Sequence, residues 1–149
     1  MKKIIFSIAL LLIATLVMAQ NSTASTDEQQ IRSIIAQENN GNFSAPATED
    51  NIFVSGPFPR PIIGKKDAVS QQISDSLSKA RKNYSFKKEV VRLVVAQSGD
   101  IAYEFGNGII RYDDVNNKNV TLNNSYVRTW KKVNGQWQVD ITFARPNRL

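Results

Sequence analysis

From Tyr84 to near the C-terminus, the apolar residues of this chain fall on every second position; before it they fall on every third or fourth. A period of two marks a strand with two unlike faces, and here it recurs strand after strand. Val91, Leu93 and Val95 alternate on one, which Ser98-Gly99-Asp100 ends. Ile101, Tyr103, Phe105 and Ile109 alternate on the next, with Gly106 and Gly108 as places to bend. A third strand is expected over 121–131 and a fourth from Trp137 to about Ala144. Between those two, Asn134-Gly135 is a strong hairpin signal, because both residues tolerate positive φ. Such a run predicts an antiparallel meander.

The N-terminal half obeys another period. Ser25 with Glu28, or Thr26 with Gln29, has the spacing of a capping box, and Ile31, Ile34 and Ile35 then share one helical face. Asn39-Asn40-Gly41 is the expected stop. Residues 42–49 form a linker containing Pro46, and Ile52-Phe53-Val54 reads as a short strand. The prolines at 57, 59 and 61 cannot donate a ladder of hydrogen bonds, so that stretch is read as a sheet edge or a rigid loop. After Gly64, Val69, Ile73, Leu77 and Ala80 predict a second helix. Helices before a meandering sheet make an α+β domain, here a cone with N-terminal helices packed on a curved antiparallel sheet.

Met1 to Ala19 reads as a cleavable signal peptide: Lys2 and Lys3 precede a short apolar run that ends at Val17-Met18-Ala19. The expected organisation is a signal at 1–19, a flexible leader at 20–25 and one domain at 26–149, exported to the periplasm or medium without a membrane anchor. With no cysteine there is no lipid-attachment site and no thiolate chemistry, and with no histidine the commonest general base and metal ligand are missing. No metal or cofactor is expected. The net charge of +6 is spread along the chain, in pairs such as Lys65-Lys66 and Lys131-Lys132. A nucleic-acid partner wants a dense basic stripe instead, and none is expected.

Glu49-Asp50-Asn51-Ile52-Phe53-Val54, then Pro61-Ile62-Ile63-Gly64-Lys65-Lys66-Asp67-Ala68-Val69, resembles the nuclear-transport-factor-2-like superfamily, which includes SnoaL-like cyclases and ketosteroid isomerases. The runs 99–104 and 126–137 look like the same family's sheet, so the likeness spans nearly all of 26–145. The resemblance implies a pocket inside the cone and a second subunit on the outer face of the sheet. It also implies, for an isomerase, a base after the first strand, a tyrosine on the first helix and an acid on the third sheet strand. Those places hold Ser55, Ile34 and Val127, so isomerase chemistry is not expected. One departure stands out: only 42–49 separates the first helix from the first strand, where family members carry another short helix. An open pocket is the expected consequence.

A two-residue turn at Asn134-Gly135 pairs 133 with 136, hence 129 with 140 and 128 with 141. That register puts Tyr126, Arg128, Trp130, Trp137, Val139, Ile141 and Phe143 on one face, and Ser125, Val127, Thr129, Gln138, Asp140 and Thr142 on the other. Which face is concave stays open at this level. Trp130 and Trp137 suit core or interface packing. Arg128, on an apolar face, is either a rim residue or an anion contact. Asp140, flanked by Thr129 and Thr142, either orients a ligand or is solvated, and it is the only carboxylate considered as an acid or base. The oxygen-rich stretch 113–119 lacks the pattern of a calcium loop and reads as a turn. The expected ligand-binding set is Phe53, Tyr103, Tyr126, Arg128, Asp140 and Thr142. The expected function is binding of a small amphipathic molecule by a homodimer. The alternatives are a SnoaL-like enzyme and a dimerisation module without catalysis.

Overall fold

The computed structural model describes residues 26–41, 43–55, 58, 60–68, 72, 75–76 and 79–147. The predicted signal peptide and leader therefore lie outside the described residues. Helix α1 spans 26–39 and ends at Gly41, whose φ is +85°. The strands are β1 (Ala47–Ser55), β2 (Ile62–Ile63), β3 (Lys82–Val95), β4 (Ile101–Asp113), β5 (Asn119–Val133) and β6 (Gln136–Pro146). The described residues between Ala68 and Ala80 are helical, as predicted, whereas Val69, Ile73 and Leu77 lie outside the described set.

The strands form one sheet in the order β2-β1-β6-β5-β4-β3. β3 to β6 are the expected antiparallel meander, but β1 runs parallel to β6, so the sheet as a whole is mixed. β1 is also longer than its apolar triplet suggested. Ile62 and Ile63 pair with Phe53 and Ile52 at the edge, beyond the proline-rich stretch. Asn134 and Gly135 take φ of +51° and +78°, the left-handed pair that a tight hairpin requires. Asp114 closes the 113–119 turn itself: its Oδ1 accepts from the backbone N–H groups of Asn116 and Lys118.

Packing against α1 selects the inner face. Ile31 and Ile35 meet Leu93, Ala102, Trp130, Trp137 and Val139 in one buried cluster. At roughly 1.5–3 kcal/mol for each large apolar side chain removed from water, this contact holds the helix to the sheet. The N-terminus of α1 is pinned separately. Asp27 is buried there and accepts from Lys132 Nζ at 2.6 Å and from Trp137 Nε1 at 3.2 Å. A carboxylate in a helix's first turn also suits the helix dipole.

Two β-bulges correct the predicted faces. On β3 the register shifts between Val90 and Arg92, so Val90 packs on the core while Val91 is exposed. On β6 the ladder runs Trp130↔Val139 and then Thr129↔Ile141, which leaves Asp140 as the extra residue. Arg128 therefore pairs with Thr142, not with residue 141. Beyond the bulge the faces exchange. Thr142 and Ala144 turn inward, while Ile141 and Phe143 join the outer face and are 38% and 51% exposed. The outer face also carries Tyr103, Phe105 and Val127, each at least 40% exposed.

Candidate functional site

The inner face has an unusual floor. On β4 its residues are Ala102, Glu104, Gly106 and Gly108, small side chains with one carboxylate among them. Neither glycine has room for a methyl group. A Cβ on Gly106 would stand 2.2 Å from the Glu89 carbonyl oxygen, and one on Gly108 would stand 2.6 Å from the Phe86 ring. The space they leave is taken by β5. The Tyr126 hydroxyl lies over Gly106 and the Asn124 amide oxygen over Gly108.

Glu104 is completely buried and fully bonded. Arg128 donates to it from Nε at 3.2 Å and from Nη2 at 3.0 and 3.2 Å, and Trp130 Nε1 donates at 2.7 Å. The guanidinium also lies 4.5 Å from the centre of the Trp130 ring. Its remaining arm, Nη1, reaches Glu38 at 2.9 and 3.1 Å. Glu38 sits in the last turn of α1, where the helix dipole disfavours an anion, so its cations must hold it. The second cation is Lys88, whose Nζ is 3.0 Å from Glu38 Oε1.

The backbone fixes Lys88 as well. The side-chain amide of Asn39 donates to the Lys88 carbonyl at 2.9 Å, and its oxygen accepts from the Lys88 N–H at 2.7 Å. Asn39 thus acts as a short substitute strand on the edge of β3. Two consecutive residues at the end of one helix clamp the lysine by its side chain and by its main chain. Burial lowers the pKa of Lys88, and the positive charge of Arg128 lowers it further. Glu38 and Glu104 oppose the shift without reversing it.

Above this floor opens a cavity of about 380 Å³. Phe53, Phe58, Phe86, Ile110 and Leu122 line its apolar walls, with Arg81 at its edge stacked on Tyr112. Its polar groups come from Lys88, Asn124, Tyr126, Arg128, Thr142 and Ser55. The Tyr126 hydroxyl and the Asn124 amide oxygen are both buried without a hydrogen-bond partner. Burial, with the charge of Glu104 and a contact to its carboxylate outside regular hydrogen-bond geometry, pushes the Tyr126 phenol far above its ordinary value, so it stays neutral. A second cavity of about 400 Å³ lies beside the first, under the end of α1, and shares Tyr84, Phe86 and Lys88 with it.

Of the six residues expected to bind a ligand, the fold brings four to this cavity: Phe53, Tyr126, Arg128 and Thr142. It does not bring Tyr103, which lies on the outer face, or Asp140, whose Oδ1 accepts from Thr48 Oγ1 at 3.0 Å across to β1. Arg128 is neither a rim residue nor a free anion contact, because its donors are occupied by Glu104 and Glu38. Of the three positions mapped from isomerases, Ser55 lines the cavity, Ile34 packs on the core and Val127 faces outward. The sequence reading missed Glu38, Lys88, Glu104 and Asn124. The available signal was Glu104 itself, a lone charge among small residues on the parity opposite the aromatics.

Among the described residues, no helix is long and apolar enough to cross a membrane. No family model matches the chain, and no curated protein matches it in sequence. Solved structures do match in fold. A candidate scytalone dehydratase from Novosphingobium aromaticivorans superposes with a TM-score of 0.71 at 14% identity, over 86% of this chain and 89% of that one. An NTF2-like protein with a cystatin-like fold from the same organism gives 0.62 at 16% identity, over 91% and 87%. A hexachlorocyclohexane dehydrochlorinase, LinA type 2, gives 0.60 at 17% identity, over 92% and 89%. The chain has the cone fold of the nuclear-transport-factor-2-like proteins.

Proposed function

We propose that this protein binds a small, mainly apolar molecule with one polar end, held in the concave cavity of the sheet. The observation that carries this reading is a mismatch within the cavity. Its walls are aromatic and aliphatic, yet two residues of its floor, Tyr126 and Asn124, each keep a buried oxygen that the protein leaves without a regular hydrogen bond. Leaving a buried polar group unpaired costs about 1–3 kcal/mol, which a ligand hydroxyl, accepting from Tyr126 and donating to Asn124 Oδ1 once these side chains turn toward it, would recover. The volume suits a molecule of one or two rings. By their names, two of the fold neighbours act on small organic molecules, scytalone and hexachlorocyclohexane, which supports the reading. A catalytic role for Asp140 has no such support, because its carboxylate is bonded to Thr48 away from the cavity.

Titration of amide NMR spectra with 2-naphthol tests this. Shifts should concentrate around Phe53, Phe86, Leu122, Tyr126 and Thr142. Shifts confined to the outer face would refute the proposal. Untargeted mass spectrometry of protein from its native host then identifies the natural ligand.

The outer face supports a second reading, association of two copies through the sheet. Phe105, Val127 and Phe143 stand side by side across three strands, next to Tyr103, Thr129 and Ile141. A monomer rarely exposes such a contiguous apolar patch. We also propose that the protein acts after export, as the reading of 1–19 implies. Intact mass of the native protein should begin at Gln20.

A further inference from the structure

Four charged groups meet beneath the cavity, and one of them is dispensable to the others. Each oxygen of Glu104 accepts from Arg128, and Oε2 accepts from Trp130 as well. Both oxygens of Glu38 accept from Arg128, and Oε1 also accepts from the Ala45 N–H at 3.3 Å. Every carboxylate oxygen therefore keeps a donor when Lys88 is taken away. A guanidinium does not give up its proton in proteins, so the cation that can discharge is Lys88. Its Nζ rests 4.6 Å from the centre of the Phe86 ring, and the residue lines both cavities while its side chain is only 9% exposed. An amine desolvated beside another cation is in the environment that makes lysine a nucleophile.

We propose that Lys88 captures carbonyl compounds that enter the apolar cavity, forming a reversible Schiff base with Glu38 as the proton carrier. This rests on the cavity's being a small-molecule site. The ammonium gives one proton to Glu38 Oε1, which leaves a free amine. The nitrogen lone pair attacks the carbonyl carbon, a C–N bond forms, and the π pair moves to oxygen. A proton passes from nitrogen to that oxygen, giving a carbinolamine. Protonated Glu38 returns its proton to the hydroxyl, which leaves as water, and the nitrogen lone pair closes the C=N bond. In sum, ammonium and carbonyl give iminium and water, with no oxidant or reductant. The lowered pKa of Lys88 favours the first step.

The neighbouring residue is an internal control. Lys87 is exposed and lies one position away on the opposite parity of β3. Full-length protein is incubated with 2-naphthaldehyde and sodium cyanoborohydride, which fixes imines as secondary amines, and labelled peptides are mapped by mass spectrometry. Lys88 should be labelled at least about tenfold faster than Lys87 or any other lysine. K88R, which retains the charge opposite Glu38, should lose that label, with folding checked by circular dichroism. In parallel, wild-type protein is titrated with 2-naphthalenemethanol, which has the same shape without the carbonyl. If the alcohol binds but Lys88 is labelled no faster than Lys87, the lysine proposal is overturned and the cavity reading stands. If the alcohol does not bind and Lys88 is not labelled, both fall. The wild-type comparison decides even if K88R does not fold.

Discussion

On β4, Ile101, Tyr103 and Phe105 look outward and stay exposed, while Ala102 and Glu104 are buried on the inner face. On β5, Val127 faces solvent between Tyr126 and Arg128, both buried. The strands therefore carry apolar groups on their open side and ions on part of their closed side, against the simple rule for a half-buried sheet. The inversion is local. Near the β5–β6 hairpin, Trp130, Trp137 and Val139 pack on α1 in the ordinary way. Beyond the end of the helix, the same face carries charge and an open cavity. A buried ion network contributes little net stability compared with apolar side chains of equal volume, so its presence where the helix stops points to function. The outer face teaches the complementary lesson: apolar groups that the monomer leaves uncovered fit association rather than folding.

The largest expected effect comes from breaking the inner network. Arg128→Met leaves Glu104 and Glu38 buried without their shared cation and should lower stability by about 3–5 kcal/mol in urea denaturation. A loss below about 1 kcal/mol would mean that solvent reaches these carboxylates and that the two faces are less different than their burial shows.

Next is the floor itself. Gly106→Ala places a methyl group 2.2 Å from a backbone oxygen of β3. A main chain yields less readily than a flexible side chain, so overpacking should outweigh the gain from a stiffer unfolded chain. The expected loss is about 1–3 kcal/mol. Unchanged thermal unfolding would show that β3 and β4 can separate.

On the outer face, Val127→Lys and Phe143→Lys should change the stability of the folded chain by no more than about 0.5 kcal/mol. They should abolish self-association, which sedimentation of the parent at roughly tens of micromolar would display. A parent that sediments as a monomer removes the second reading of this face.

The smallest effect distinguishes a group kept for a ligand from one kept for the fold. Tyr126→Phe removes a buried hydroxyl that makes no regular hydrogen bond in the protein, so stability at pH 7 should not fall and should rise by about 1 kcal/mol. At alkaline pH the two proteins should part. An unfolded tyrosine ionises near pH 10, roughly, while folded Tyr126, its pKa raised by burial and Glu104, keeps its proton. The native state then binds more protons than the unfolded state, and wild-type stability falls as pH rises beyond that point. Tyr84, also raised by burial, contributes the same trend to both proteins. The difference between their denaturation curves isolates Tyr126, and identical alkaline losses would place its hydroxyl in water.

What the sequence determined by itself was local. The period change at Tyr84 gave the strands, Asn134-Gly135 gave the hairpin, and the isoleucines of 31–35 gave α1, because each rests on neighbours within one turn or one strand. The faces of β5 were legible too, and with them the placement of Tyr126, Arg128 and Trp130 on one side. Only the tertiary structure decided which face is concave, since alternation defines two faces without ranking them and the choice falls to the helix that packs on one. It also decided the bulge at Asp140, which reverses parity from Ile141 onward and carries Thr142 inward. The partners of Arg128 could not be read along the chain either. Glu38 and Glu104 are 90 and 24 residues away from it, and it is the end of α1 over the strand order β5-β4-β3 that brings both carboxylates and Lys88 to one place.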